Sequence, residues 1–332
     1  MKPIAIVLAL GLLAGCASSA EVPDWVSGAA AGYPPSQYLL GRGEAESGEE
    51  ARDRARADLA KVFEVQIAVE SEDEQAFRTD GAEGRYASRS ARRVSAHTER
   101  LLEGVEIAET WRDPRTHRYH ALAVLQRQKA ASVLRERIAE LDAATRVQLE
   151  RARRADDPLF KIAAAARAVA AQTERAGHLK TLRVVSAVGV GQEPEWSLER
   201  LRSDLDGLLR RVAVAPRVVA DTTGGLVPVV QGAVAGAGFT VDTARPDYVL
   251  EASLALDDLG LQDGWYWQRG VLEVRLIQTG SERVRGAKRW PIKASALARE
   301  GAVKRALDQA DAVLRKELRA TVLGFAATNA AR

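Results

Sequence analysis

Hydrophobic positions change their spacing several times along this chain, and each change marks an element. They are continuous from Pro3 to Leu13 behind one basic residue, Lys2, a run too short to span a bilayer and of the length of the apolar part of a secretion signal. Residues 33–73 predict strand, glycine turn, helix and strand. Ser47 and Glu50 make an S-x-x-E capping box; Ala51, Ala55, Leu59 and Val62 then recur at helical spacing while Arg52, Asp53, Arg56 and Lys61 take the opposite face. At Phe63 the period becomes two. Phe63, Val65, Ile67 and Val69 alternate with Glu64, Gln66, Ala68 and Glu70, the mark of a strand buried on one face. A helix over residues 84–102 follows, and then a hairpin: alternation from Val105 to Trp111, a turn at Asp113-Pro114-Arg115-Thr116, and a return strand over 119–125.

From Gln126 the pattern is helical to about Arg153, and Asp156-Asp157-Pro158 starts a second helix with proline at its first position. Leu134, Ile138, Leu141, Thr145 and Ala152 give the first helix an apolar seam, and Leu159, Ile162, Ala166, Val169 and Ala170 give the second its own. Such a pair is either a helical hairpin joining two domains or a coiled interaction arm. Past Lys180 the α/β pattern returns. RVVSAVGVG is expected as a strand, 197–211 as an amphipathic helix, VAVAPRVV as a strand, and 226–237 as a helix whose Gly232-x-x-x-Gly236 lets it lie close to a sheet. Strands at 247–256, 267–278 and 283–295 and a helix over 299–323 complete a mixed sheet flanked by helices.

Composition alters this picture at one point, the cysteine count. Cys16 is the only cysteine among 332 residues, so the rest of the chain has no disulfide. Leu13-Ala14-Gly15-Cys16 puts a small pair directly before the thiol and resembles a bacterial lipobox. That resemblance implies cleavage between Gly15 and Cys16 and acylation, palmitate included, of Cys16; several chains give a stable anchor, each buried methylene contributing roughly 0.8 kcal/mol. Ala17, where an aspartate would argue for inner-membrane retention, favours the outer membrane. Hydrophobic residues are 46% and charged residues 28% of the chain, which suits a folded periplasmic body. The net charge of +3 is spread among interleaved signs, so nucleic acid is not implied as a partner, and the excess of arginine over lysine reads either as phosphate or carboxylate recognition or, the preferred reading, as the codon usage of a GC-rich genome.

Pro23-Asp24-Trp25, Tyr33-Pro34, Tyr38-Leu39, Gly41-x-Gly43, the Ala51, Ala55, Leu59-Ala60 helix and the Val65 to Ser71 strand together resemble the Lpp-twenty family of bacterial outer-membrane lipoproteins, a fold also met as the N-terminal domain of flagellar assembly protein T. The resemblance covers residues 23–125 and implies a small α/β domain, an outer-membrane address and no enzymatic activity. Gly238-Phe239-Thr240-Val241 with Pro246-Asp247-Tyr248-Val249-Leu250 is similar, over a few tens of residues, to the periplasmic domains of peptidoglycan-synthase activator lipoproteins. The expected class is α+β: a signal peptide at 1–15, a lipidated tether at 16–22, an α/β domain at 23–128, a helical hairpin at 129–178 and a second α/β domain at 179–325.

The residues offer little for catalysis. Gly41-Arg42-Gly43 lacks the third glycine of a dinucleotide loop, Glu46 standing there, and Glu44 and Glu46 would repel phosphate. His117 and His120 fall on opposite faces of a strand, His97 and His178 stand apart, and no zinc spacing, nucleophile elbow or P-loop is present, so neither cofactor nor metal is expected. The acidic runs Glu70-Ser71-Glu72-Asp73-Glu74 and Asp257-Asp258 read as solvated loops. The best binding candidate is Gly264-Trp265-Tyr266-Trp267-Gln268-Arg269-Gly270. In a strand Trp265 and Trp267 share a face and Tyr266 takes the other; with Arg269 they suit a protein hot spot or stacking on sugar rings, unless the tryptophans merely seal the sheet. The chain therefore reads as a non-catalytic lipoprotein on the periplasmic face of the outer membrane, binding an envelope protein or peptidoglycan in flagellar or cell-wall assembly. The alternative is a periplasmic enzyme or small-ligand receptor whose site is built from distant residues.

Overall fold

The structure, a computed structural model, describes residues 21–61, 104–186 and 193–328. The fold is α+β, with one sheet of three strands and one of five among the described residues. Two compact units divide them: 21–61, 104–134 and 180–186 in the first, 135–179 and 193–328 in the second. The lipobox at Gly15 and Cys16, the strand beginning at Phe63, the helix over 84–102 and the acidic run at Glu70 lie outside the described residues.

In the first unit α1 (Asp24–Ser27), β1 (Tyr38–Ala45), α2 (residues 48–61), β2 (Glu106–Arg112) and β3 (Tyr119–Gln126) follow in order, and the strands make an antiparallel sheet β1-β3-β2. Ser47 caps α2, its Oγ accepting from the Glu50 N–H at 3.2 Å, while the Glu50 carboxylate turns to Arg54, so one half of the capping box forms. Ala51, Ala55 and Leu59 are fully buried. Gly41 and Gly43 are not in the turn expected for them; they lie inside β1, and the chain turns at Glu46 and Ser47. A Cβ on Gly41 would come 2.3 Å from the Ala55 carbonyl oxygen, and one on Gly43 2.0 Å from that of Ala51. The glycines are there because α2 lies directly on the strand.

On the other side of this sheet Trp25 packs with Leu122 and Val124. Its indole N–H donates to Glu109 at 2.6 Å, and Arg42 donates to the Trp25 and Gly28 carbonyls, which fixes the chain entering from the N-terminus. Beyond β3 run two long helices, α3 (Arg127–Arg154) and α4 (Pro158–Val185). The strand expected for RVVSAVGVG is corrected over its first residues: Arg183, Val184 and Val185 are the last turn of α4, and the rest of the run falls largely outside the described residues. Strand propensity loses here to packing, because Leu182 and Val185 are buried and Arg127 donates to the otherwise orphaned carbonyls of Val184 and Val185 at 3.0 and 2.9 Å.

In the second unit the helical pair is tied by Arg175, 2% exposed, whose Nε lies 2.8 and 3.0 Å from the two carboxylate oxygens of Asp142. Gln172 donates to Asp142 and to Thr145. Asp157 caps α4 by accepting from the Phe160 N–H. Then come α5 (Leu198–Arg210), β4 (Ala213–Asp221), α6 (Leu226–Gly236), β5 (Thr240–Val241), β6 (Tyr248–Gln262), β7 (Trp265–Gln278), β8 (Arg283–Ala296) and α7 (Arg299–Thr328). The sheet order is β5-β4-β6-β7-β8, parallel about β4 and antiparallel from β6 onward.

One face of this sheet is the core: Leu250, Leu254, Leu272, Val274 and Leu276 meet Leu209 of α5, Val230 of α6, Leu314 of α7 and Leu159 and Ile162 of α4. The apolar stripe of α7 repeats every fourth residue, from Ala302 through Ala306, Ala310, Leu314 and Leu318 to Val322. Gly232 and Gly236 do not serve the sheet contact expected of them. The nearest atom to a Cβ on Gly232 would be an Arg315 nitrogen of α7 at 3.8 Å, and Gly236 faces open space. Strand β8 ends the sheet order, and α7 reaches over it: Gln309 accepts from the Lys293 backbone N–H at 3.1 Å and Arg305 donates to the Ser295 carbonyl at 2.6 Å.

Candidate functional site

The β6–β7 hairpin closes on Asp263 and Gly264, both at positive φ (52° and 80°), the pair of left-handed residues that a tight two-residue hairpin turn requires. Directly after it stand Trp265, Tyr266 and Trp267. Along β7 the even positions Gln268, Leu272, Val274 and Leu276 are buried, and the odd positions Trp265, Arg269, Val271 and Arg275 are exposed. The helices cover the even face; among the described residues the odd face is open over this part of the sheet.

Register places the aromatics on both faces. Trp267 lies opposite Gly260 on β6 and Ser295 on β8, two small neighbours that leave its flanks clear, and Lys293 sits over its ring at 4.7 Å. Trp265, 39% exposed, is two residues nearer the turn on the same face. Arg269 is directly opposite Lys293. Tyr266 belongs to the other face, opposite Leu261 and Ala296, with the Arg299 guanidinium over its ring at 5.7 Å; Arg299 is itself held by Asp258 at 3.0 Å. Asp258 is thus engaged in an ion pair, and Leu261 and Leu297, 60% and 73% exposed, extend an apolar rim at this end of the sheet.

Farther along the open face the charges are matched. Glu251 lies 3.7 Å from Arg217 and 3.5 Å from Arg275, and Glu273 lies 2.7 Å from Arg289. Sequence reasoning found the aromatics and Arg269. It missed Lys293 and Arg299, which only the β7–β8 pairing and the start of α7 bring to them.

Other groups are engaged within the fold. His120 packs against Trp111 at 5.4 Å, His117 occupies a turn at φ 61°, and His178 lies buried on α4 beside Glu174 at 3.7 Å; His97 is outside the described residues. Burial pushes the Tyr248 hydroxyl up to about 12, with the Asp157 charge adding to it, so it stays protonated. A cavity of about 370 Å³ at the α3–α4 turn is lined by Val147, Glu150, Arg151, Arg154, Ala155 and Phe160, its one carboxylate 3.8 Å from Arg154. Among the described residues no group of His, Cys, Asp and Glu side chains is placed to hold a metal, and no helix is long and apolar enough to cross a membrane.

Comparison with known proteins gives one family match: residues 23–126 fit the family model of the LPP20 lipoprotein. No curated protein matches the chain. Among solved structures it is similar to the secreted protein HP1454 from Helicobacter pylori, at 13% identity and TM-score 0.42, over 84% of this chain and 96% of that one. A putative lipoprotein from Caulobacter crescentus matches at 15% identity and TM-score 0.26, over 34% of this chain and 91% of that one. Lipoprotein GNA1162 from Neisseria meningitidis matches at 12% identity and TM-score 0.22, over 30% of this chain and 94% of that one.

Proposed function

From the LPP20 lipoprotein match over residues 23–126 we propose that this protein is a non-catalytic envelope lipoprotein, anchored by acyl chains on Cys16 to the periplasmic face of the outer membrane, which binds an envelope macromolecule through the aromatic end of its five-stranded sheet. Its setting is cell-wall or flagellar assembly. The observation that carries the binding role is the placement of Trp265 and Trp267 together on an open sheet face, outside the helix-covered core. Core tryptophans would be sealed by the helices; these are presented. The non-catalytic reading is supported by the Glu150 carboxylate being engaged with Arg154 and by Asp258 being engaged with Arg299, which leaves neither as a ready acid or base.

Two measurements test this. Replacing Cys16 by serine should abolish metabolic palmitate labelling and release the protein from the outer-membrane fraction; persistence of both sinks the anchor. Crosslinking in intact envelope should capture a macromolecular partner with the wild type and not with W265A/W267A, at an unchanged melting midpoint. A folded double variant that keeps its partner sinks the binding site.

A further inference from the structure

We propose that the aromatic face takes the glycan of the cell wall, whose peptide stems carry carboxylates; this rests on the binding role given above. Arg269 and Lys293 are direct cross-strand neighbours on the open face. Like charges placed opposite one another disfavour a sheet, and the face elsewhere avoids the arrangement by pairing Glu251 with Arg217 and Arg275 and Glu273 with Arg289. Neither Arg269 nor Lys293 has an ion-pair partner among the described residues. Lys293 instead rests on the Trp267 ring at 4.7 Å, an attraction that keeps the ammonium beside the indole without neutralising it. Arg269 also faces Asp257 across β6, so the cluster carries one excess positive charge, set beside the exposed Trp265 and the half-buried Trp267.

That combination fits a sugar better than a protein. One side of a pyranose ring presents C–H groups that stack on an indole, while its hydroxyls and the carboxylates of the attached peptide stems reach sideways to donors. Trp265 and Trp267, two positions apart on one strand, lie about 7 Å from each other along it, which offers successive sugar rings a platform. Arg269 and Lys293 flank that platform where substituents would lie, and they supply a bidentate fork and a point charge for carboxylates. A protein partner would need about 800 Å² of surface, and the sheet beyond Val271 offers it mainly salt-bridged charges whose desolvation works against association.

The test uses the full-length acylated protein in detergent and isolated peptidoglycan sacculi, with sedimentation as readout and chitin as a neutral glycan control. Wild type should sediment with sacculi, and both W265A/W267A and R269Q/K293Q should need about tenfold more sacculi for the same bound fraction, an amount in keeping with the loss of one stacking or charge-assisted contact. Arg269 and Lys293 are both exposed, so R269Q/K293Q stays folded even if W265A/W267A does not. Failure of the wild type to sediment, equal sedimentation with chitin, or wild-type behaviour of R269Q/K293Q overturns the proposal. If W265A/W267A loses a crosslinked protein partner while the wild type ignores sacculi, the binding site stands and the glycan does not.

Discussion

Arg285 on β8 and Asp157 at the start of α4 meet at 2.5 Å, although 128 residues separate them. Arg285 is 7% exposed and also donates to Gln278 at 3.2 Å, while Asp157 at the same time caps α4. The pair joins the second helix of the hairpin to the five-stranded sheet, and Leu159, Ile162, Ala163 and Ala165 continue that contact as part of the core. This half of the hairpin is core rather than a free arm.

Removing Asp157 takes a carboxylate away from a buried cation. Asp157→Ala should cost about 3–5 kcal/mol in urea unfolding of the whole chain, including loss of the helix cap. A cost below about 1 kcal/mol would mean the pair is dispensable.

Gly43→Ala should destabilise the first unit by about 1–3 kcal/mol, because the new methyl group would meet the Ala51 carbonyl and α2 would have to lift from β1. Thermal melting measures it. An unchanged midpoint would contradict the close strand–helix contact.

The Asp221 carboxylate accepts from Thr223 and from the Leu226 backbone N–H, closing the loop that leads into α6. Burial would raise its pKa, but these hydrogen bonds outweigh burial and hold it below the ordinary carboxylate value. The unfolded chain therefore binds this proton more readily than the folded one. The contribution is complete above about pH 4 and drains away as the pH falls through the lowered folded value. Asp221→Asn should flatten the acid limb of a stability–pH curve; a limb as steep as that of the wild type contradicts this.

Glu317 on α7 accepts from Lys288 and from the Trp290 indole N–H, each at 2.8 Å, and these bonds hold its carboxyl below the ordinary range. Glu317→Gln should keep Trp290 in place, whereas Glu317→Ala should free it, which intrinsic fluorescence of a variant retaining Trp290 as the reporter would register as a red shift. Identical spectra for the two variants would rule out a positioning role.

Much of this architecture was legible in the chain because the signals were local. Ser47 before its helix, Asp157 before Pro158, and the Ala51, Ala55, Leu59 stripe each act within a few residues. Gly41-x-Gly43 misled because a glycine needed for close approach and a glycine needed for a turn look the same until the helix is in place. The valines at 184 and 185 misled because their capping partner, Arg127, is 57 and 58 residues away. At the candidate site the aromatic run announced itself, while the cation on Trp267 depended on a strand register that no local pattern carries.

The side chains of α7 that engage β8 limit how anything can approach this end of the molecule. Gln309 occupies the Lys293 N–H, Arg305 occupies the Ser295 carbonyl, and Pro291 between β8 residues has no N–H to offer. An extended peptide or a second sheet cannot add itself as another strand along these residues, since the main-chain groups it would pair with are taken or missing. Growth of the sheet is closed over that stretch, which keeps identical copies from stacking edge to edge there, and a ligand of the tryptophans must use the face of the sheet rather than its β8 edge.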